Sequence, residues 1–256
     1  MKEQAAFRKI GCGECLNSGL LGFDFSMAFQ PIVNTTSQTV YAQEALVRGL
    51  EGQGGGRHVF ENVNKDNRYR FDQACRVKAI KLAAELNIQS KLSINVMPNA
   101  VYKPELCIRT TLEAVQIYNF PIERIIFEVT EGEPINDHAH LQDIIQSYQL
   151  QGFITAIDDF GAGYAGLNLL SNMQTDLVKL DMALVRNIHN DSVRQTISRG
   201  IIAVCDDLNI TVIAEGIESA DELQVLQEMG IELFQRFYFA RPRFESLATV
   251  SSDWWR

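Results

Sequence analysis

Apolar and polar residues follow two different periods along the chain. Short apolar runs, bounded by turn-forming residues, are typical of buried strands, and they alternate with longer segments whose apolar residues recur at helical spacing. The runs that predict strands are residues 26–33, 40–49, 91–96, 124–130, 153–158, 176–181 and 211–215, with 232–242 closing the series. The segments that predict helices are residues 71–86, 106–118, 137–152, 167–170, 192–209 and 219–230. The last segment begins with an N-cap serine, Ser219, and ends at Gly230.

This alternation of strands and helices indicates the fold class. Alternating elements form a mainly parallel sheet with helices outside it. About eight strands in a chain of 256 residues favour an α/β fold of the closed (β/α)8 TIM-type barrel over an open, doubly wound sheet, which is the alternative. The glycine-rich segment 50–58 is interpreted as a mobile loop within this series. The predicted organisation is therefore an N-terminal arm of residues 1–25 and one barrel domain of residues 26–256.

Polar residues interrupt or end most of the predicted strands. Because β/α barrels carry their chemistry at the carboxyl ends of their strands, a closed barrel would bring these residues to one mouth. In chain order they are Glu44, Asn95, Glu128, Asp158 with Asp159, Lys179, Glu215 and Gln235. Mg²⁺ and Mn²⁺ prefer oxygen ligands, and the set contains neither histidine nor cysteine. The sequence therefore predicts a hard-cation site at the mouth of the barrel.

Asp158 and Asp159 form an adjacent pair of carboxylates directly after an apolar run. Successive side chains of a regular strand point to opposite faces, so the pair can converge on one target only if the strand ends there. Gly161 and Gly163 would supply the backbone freedom for that break. Two carboxylates this close repel each other unless a cation or a shared proton lies between them. Two bridged ions could activate a water and clamp a phosphodiester.

Composition narrows the range of partners and compartments. The formal net charge of −9 argues against a nonspecific binder of duplex nucleic acid. No apolar run approaches the roughly 20 residues of a membrane span, and the N-terminus lacks the apolar core of a signal peptide. The odd number of cysteines, 5, suits reduced thiols in the cytoplasm. Cys12 and Cys15 are interpreted as unlinked thiols, with a redox or metal-binding role as the alternative.

Seven short segments, taken together, match the motifs of one known family. They are QEALVR, SINV, FEVTE, DDFGAGY, VKLD, AEGIE and FQRFYFARP, and they extend over most of the chain, from about Phe29 to Pro242. In this order and spacing they resemble the EAL-domain family of bacterial phosphodiesterases, which hydrolyse cyclic di-GMP. The resemblance implies a modified (β/α)8 barrel whose first strand runs antiparallel to the rest. It also implies hydrolysis to linear pGpG by a two-metal mechanism with Mg²⁺ or Mn²⁺, which lowers the level of this second messenger.

The resemblance assigns catalytic and metal-binding roles to residues at matching positions. The residues that resemble ligands of the first ion are Glu44, Asn95, Glu128 and Asp158. Asp158 would bridge to the second ion, with Asp159 beside it. Lys179 and Glu215 resemble the residues that hold or polarise the attacking water. An unperturbed lysine is protonated at pH 7, so Lys179 is expected to orient rather than to act as a literal base.

Other matching positions concern the substrate and partners. Arg48 resembles the arginine that contacts the substrate phosphate, a task that suits a fixed fork of donors. Gln235 and Gln30 resemble further substrate-contacting residues, and Glu131 resembles a supporting glutamate that anchors the loop after the aspartate pair. The family resemblance also implies a homodimer through the loop and short helix of residues 161–170.

Two departures from the family pattern bear on the function. Arg236 stands where the family usually has glycine after FQ, and Ala162 stands where threonine is common. Neither removes a ligand, although Arg236 could alter the rim that faces a guanine. The alternative functions are a catalytically weak or inactive cyclic di-GMP receptor or protein-interaction module, and an unrelated metal-dependent barrel enzyme.

Overall fold

Eight strands close into a barrel, and a ninth, two-residue strand extends along its edge. The computed structural model describes residues 21–52, 58–101, 103–130, 138–162, 166–235 and 237–250. The strands are β1 Ser26–Asn34, β2 Thr39–Arg48, β3 Lys91–Val96, β4 Ile125–Thr130, β5 Ile154–Phe160, β6 Leu177–Leu180, β7 Thr211–Glu215, β8 Leu233–Gln235 and β9 Arg243–Phe244. The alternating pattern therefore placed β1 to β7 within two residues of their observed bounds, whereas the predicted strand 232–242 is too long, because β8 ends at Gln235.

The barrel closes through its first strand. Strands β2 to β8 are neighbours in chain order, and β1 lies between β8 and β2. The pairs from β2–β3 to β7–β8 are parallel, whereas β1 is antiparallel to both β2 and β8. The expected (β/α)8 barrel with a reversed first strand is thus confirmed, and the doubly wound alternative is wrong.

Helices connect the parallel strands on the outside of the barrel. Those in the described residues are α1 Arg68–Glu85, α2 Pro104–Cys107, α3 Arg109–Tyr118, α4 His138–Leu150, α5 Gly166–Asn172, α6 Met182–Val185, α7 Ser192–Asp207 and α8 Ala220–Glu228. The predicted helix 106–118 is divided, because α2 ends at Cys107 and Ile108 separates it from α3. Ser219 caps α8 as predicted, in a reciprocal pair of hydrogen bonds with Glu222.

Two apolar clusters form the interior. The larger lies between the strands and the helices. The smaller fills the barrel itself and is called here the floor cluster; it consists of Ile32, Ala42, Ile126, Ala156, Leu177, Ile213 and Leu233. Because side chains alternate between the two faces of a strand, the next inward-facing residue lies two positions away, above this floor.

Several predictions fall outside the described residues. The arm prediction concerns residues 1–25, of which residues 1–20 lie outside them, as do Cys12 and Cys15. Within the described part, Cys75, Cys107 and Cys205 are free and buried. No described helix is both long enough and apolar enough to cross a membrane.

Candidate active site

The strand alternation places a ring of polar side chains above the floor cluster. Two positions beyond its members on β2 and β4 to β8 stand Glu44, Glu128, Asp158, Lys179, Glu215 and Gln235. In the reversed β1 the equivalent residue precedes Ile32 by two positions and is Gln30. The fold thus turns a sequence period of two into a layer of polar groups at one end of the barrel.

An open pocket of about 330 Å³ lies over this layer. The residues that line it are Gln30, Glu44, Leu46, Arg48, Asp158, Asp159, Lys179, Asp181, Met182, Glu215, Gly216, Gln235, Phe237 and Pro242. Two other predicted site residues, Asn95 and Glu128, contact lining residues through hydrogen bonds. The structure therefore brings the predicted strand-end residues together.

Lys179 lies at the centre of the carboxylates. Its Nζ is 2.6 Å from Glu215, 2.8 Å from Glu128, 3.0 Å from Asp158 and 3.8 Å from Glu44. Burial lowers the pKa of this lysine, but the four carboxylates outweigh burial and leave the pKa well above its usual value. Lys179 is therefore an ammonium at neutral pH in this arrangement, which makes it a positive charge and a hydrogen-bond donor rather than a base.

The Glu44 carboxylate is held from both sides by amides. Asn95 Nδ2 donates to Oε1 at 2.8 Å, and Gln235 Nε2 donates to Oε2 at 2.6 Å. Since each amide uses its nitrogen for Glu44, its oxygen remains the atom that can accept a donor or bind a cation. The Gln235 oxygen is buried and has no hydrogen-bond partner among the described residues.

The aspartate pair occupies a distorted stretch of β5. The strand does not end at Asp158, as the sequence had predicted, but runs to Phe160, and its register with β6 shifts between Ile157 and Phe160. Asp159 itself adopts a left-handed conformation, with φ +55°, which brings both carboxylates to the pocket. Non-glycine residues rarely adopt this conformation, although aspartate tolerates it better than most. Of the glycines expected to allow the break, Gly161 has φ +96° and Gly163 lies outside the described residues.

The carboxylates share more negative charge than Lys179 can balance. Burial raises the pKa of Glu128 well above its usual value, despite its contact with Lys179. Burial, aided by the charge of Asp158, raises the pKa of Asp159, and burial raises the pKa of Glu215 to about 8. Their anionic forms would gain stability from an additional cation.

The donor set fits a hard divalent cation. One carboxylate oxygen from each of Asp158, Asp159 and Glu215 lies within 4.8 Å of the other two. The oxygen of Gln235, buried without a partner, adds an acceptor in the same layer. Oxygen donors are the ligands that Mg²⁺ and Mn²⁺ prefer.

Substrate-facing positions lie at the rim of the same pocket. The half-buried Arg48 donates from Nη1 to the carbonyl of Val47 at 2.7 Å, which leaves other donors of its guanidinium beside the pocket. Gln30 donates to the carbonyl of Ala240 at 3.3 Å, which ties β1 to the segment that follows β8. Glu131 and Arg236 lie outside the described residues, so the predictions about them remain predictions.

The sequence interpretation missed three polar residues of the site. Ser93 donates to Glu128, and Thr130 donates to Asp159 at 3.3 Å. Asp181 lines the pocket and caps α6 by accepting from the backbone N–H of Ala183. Ser93, Thr130 and Asp181 each lie two positions from a predicted site residue of the same segment, so the strand period could have identified them.

Comparison with known proteins places this geometry in a family. The EAL domain matches residues 16–242. BluF of Escherichia coli (strain K12), a blue light- and temperature-regulated antirepressor, is 33% identical over 88% of this chain and 56% of its own length. The cyclic di-GMP phosphodiesterase PdeR of the same organism is 36% identical over 65% of this chain and 25% of its own length. The chain thus spans about half or less of these two curated relatives.

Solved structures show the same architecture. A standalone versatile EAL protein from Vibrio cholerae O395, in its c-di-GMP-bound form, is 56% identical with a TM-score of 0.88, covering 91% of this chain and 98% of its own. Klebsiella pneumoniae BlrP1, in a manganese and cyclic di-GMP complex, is 35% identical with a TM-score of 0.81, covering 86% of this chain and 56% of its own.

Proposed function

The chain belongs to the EAL-domain family, and we propose that it is a phosphodiesterase that hydrolyses cyclic di-GMP to linear pGpG. The observation that carries the proposal is the polar layer above the floor cluster, where Asp158, Asp159 and Glu215 converge on one pocket. The relative PdeR is a cyclic di-GMP phosphodiesterase, and the V. cholerae and K. pneumoniae neighbours hold this nucleotide in their structures.

Divalent ions, Mg²⁺ or Mn²⁺, belong to this proposal. The residues that would hold two such ions are Glu44, Asn95, Glu128, Asp158 and Asp159. When bound, such ions supply Lewis-acid activation of a water and of the phosphodiester. The K. pneumoniae neighbour was solved with manganese, and the excess of carboxylates over Lys179 supports the same requirement here.

The chain's own residues position the reacting groups. Lys179 and Glu215, 2.6 Å apart, would hold the attacking water, with the ammonium also stabilising the charge that develops on the phosphate. Arg48 would hold a substrate phosphate through its free donors. The amides of Asn95 and Gln235 keep the Glu44 carboxylate in one orientation, so that little reorganisation is needed during the reaction.

The partners follow from the same proposal. The protein would hydrolyse the nucleotide in the cytoplasm. Two copies of the chain would associate through residues 161–170. Leu167 on α5, 51% exposed, supports the second point, because a large apolar side chain at the surface suits an interface. Light scattering of the purified protein tests the dimer, and a monomer at working concentration would contradict it.

Incubation with cyclic di-GMP and Mn²⁺ or Mg²⁺, followed by chromatography, tests the proposed reaction. We expect pGpG to appear with either metal and to be absent in EDTA. Tight nucleotide binding without turnover would instead support a receptor or interaction module. That second function is motivated by the relative BluF, which is an antirepressor. The carboxylates gathered around Lys179 favour catalysis over that alternative.

A further inference from the structure

Asp72 and Arg76 form an ion pair in the interior, one turn apart on α1. Arg76 Nη2 lies 2.7 Å from Asp72 Oδ2, and the two residues are 0% and 2% exposed. Neither lines the active-site pocket. A buried ion pair is weak evidence for stability, because removing two charges from water costs about as much as their attraction returns. The contacts of this ion pair are therefore a better guide to its role than its contribution to stability.

The second oxygen of Asp72 holds the backbone next to a predicted metal ligand. Asp72 Oδ1 accepts a hydrogen bond from the backbone N–H of Met97 at 3.0 Å. Met97 is the first residue after β3, and Asn95 lies two positions before it. The carboxylate thus ties α1 to the end of the strand that presents Asn95 to Glu44.

Arg76 in turn fixes Asp72 and contacts the next strand. Its Nη1 donates to Tyr148 Oη on α4 at 2.9 Å. Its guanidinium carbon lies 5.2 Å from the centre of the Phe127 ring, and Phe127 precedes Glu128 on β4. Arg76 is therefore held by two elements and cannot move without disturbing both.

The turn after β3 is also held at its other end. His140 Nε2 on α4 lies 2.6 Å from the carbonyl oxygen of Val101. Between Met97 and Val101 runs a short 3₁₀ turn, Pro98–Ala100. Both ends of this turn are thus anchored to helices outside the barrel.

We propose that Asp72 is a positioning residue that sets the backbone of Met97, and through it the amide of Asn95, for metal binding, while Arg76 balances the buried charge of Asp72. The inference rests on the proposed function in taking Asn95 as a metal ligand. Groups that orient a metal ligand typically change metal affinity by 10- to 100-fold when they are removed. Asp72 acts through the strand and does not touch substrate.

Two double variants of α1 separate this role from simple core packing. Asp72→Ala with Arg76→Met removes both charges, so that no unpaired charge stays buried. Asp72→Asn with Arg76→Met also removes both charges but keeps an amide oxygen that can accept from Met97. The matched control is Lys81→Met with Glu85→Ala, which removes an i,i+4 ion pair of 2.9 Å on the exposed side of the same helix.

Mn²⁺ affinity, read from the thermal shift during Mn²⁺ titration without nucleotide, is the decisive measurement. We expect the alanine-containing variant to need roughly 10-fold more Mn²⁺ for half-saturation, and the asparagine-containing variant and the control to stay within about twofold of wild type. In turnover at saturating Mn²⁺, the KM for cyclic di-GMP should be unchanged.

Wild-type Mn²⁺ affinity in the alanine-containing variant would overturn the inference. Equal weakening in both Asp72 variants would also overturn it, since it would show that the hydrogen bond to Met97 is not what matters. Because Mn²⁺ binding is read without nucleotide, a wild type that binds Mn²⁺ but leaves cyclic di-GMP intact would overturn the proposed function and not this inference.

Discussion

The ammonium of Lys179 lies 2.8 Å from Oε2 of Glu128, and both side chains are shielded from solvent, at 1% and 0% exposed. Three more carboxylates surround the same nitrogen, those of Glu44, Asp158 and Glu215. Lys179 therefore neutralises part of a charge cluster that the barrel could not otherwise enclose.

Lys179→Met should lose both activity and stability, and the loss of stability should depend on pH. We expect turnover to fall by roughly 100-fold or more, and the metal-free protein to lose about 3 kcal/mol of stability near neutral pH. Without the ammonium, the raised pKa values of Glu128 and Glu215 rise further above their unfolded values. A raised carboxylate pKa means that stability falls as pH rises, so the deficit should grow between about pH 5 and 8.

Thermal unfolding in EDTA at several pH values measures this deficit. Lys81→Met serves as the control, because Lys81 pairs with Glu85 on the exposed side of α1. A Lys179→Met deficit that is equal at low and high pH would show that the lysine does not balance these carboxylates.

Gly161→Ala should destabilise the protein just after the aspartate pair. Gly161 has φ +96°, which L-residues rarely adopt, and a Cβ there would lie 2.5 Å from Leu184 Cδ1. We expect a loss of about 1–2 kcal/mol and a lower turnover rate, because the strain falls two residues from Asp159.

Gly200→Ala is the matched substitution for this test. Gly200 lies on α7, and a Cβ there meets no atom within 4 Å, so alanine should stabilise the helix by about 0.5–1 kcal/mol. Urea unfolding gives both values. Equal effects of Gly161→Ala and Gly200→Ala on stability would contradict the left-handed backbone at Gly161. A Gly161→Ala protein that is as stable and as active as wild type would also contradict it.

Glu222→Gln should remove part of the pH dependence of stability. Burial alone raises the pKa of Glu222, but backbone N–H donors from Asn187, Glu218 and Ser219 outweigh burial and lower it. A lowered carboxylate pKa contributes stability above the unfolded pKa, and that stability is lost as pH falls through the folded pKa. Wild type should therefore lose more stability than the variant between about pH 5 and 3, and exceed it by roughly 1–2 kcal/mol at pH 7.

Urea titrations across this range test the prediction, with Glu228→Gln as the control. Glu228 is exposed and ends the same helix. Among the described hydrogen bonds, its carboxylate accepts from the side chain of Gln224 and from no backbone N–H. Parallel pH profiles for wild type and Glu222→Gln would show that the three backbone donors do not stabilise the anion.

Much of the site could be predicted because the barrel converts a sequence period into a ring. Once the strands are recognised, the residue two positions beyond an inward apolar side chain is expected to face the pocket, as Glu215 does beyond Ile213. Strand direction does not follow from this period, so the reversed β1 was available only from the family resemblance. The left-handed Asp159 was also missed, since the register shift against β6 decides it.

The two ion pairs of α1 show a second limit. Asp72 with Arg76 and Lys81 with Glu85 have the same i,i+4 spacing, and in the sequence both suggest a solvated helix face. Only packing separates them, because Tyr148 and the strands cover the first pair and solvent surrounds the second. Helical periodicity cannot distinguish a structural charge from a surface one when both faces of a helix are polar.

The turnover of cyclic di-GMP by Asp158→Asn, measured beside wild type and Asp143→Asn, tests the central claim most directly. Asp143 is exposed on α4, away from the pocket lining, so its variant should stay within about twofold of wild type. Asp158→Asn should keep its fold but produce pGpG roughly 100- to 1,000-fold more slowly at saturating Mn²⁺. A folded Asp158→Asn protein that retained more than about a tenth of the wild-type rate would contradict hydrolysis at this site.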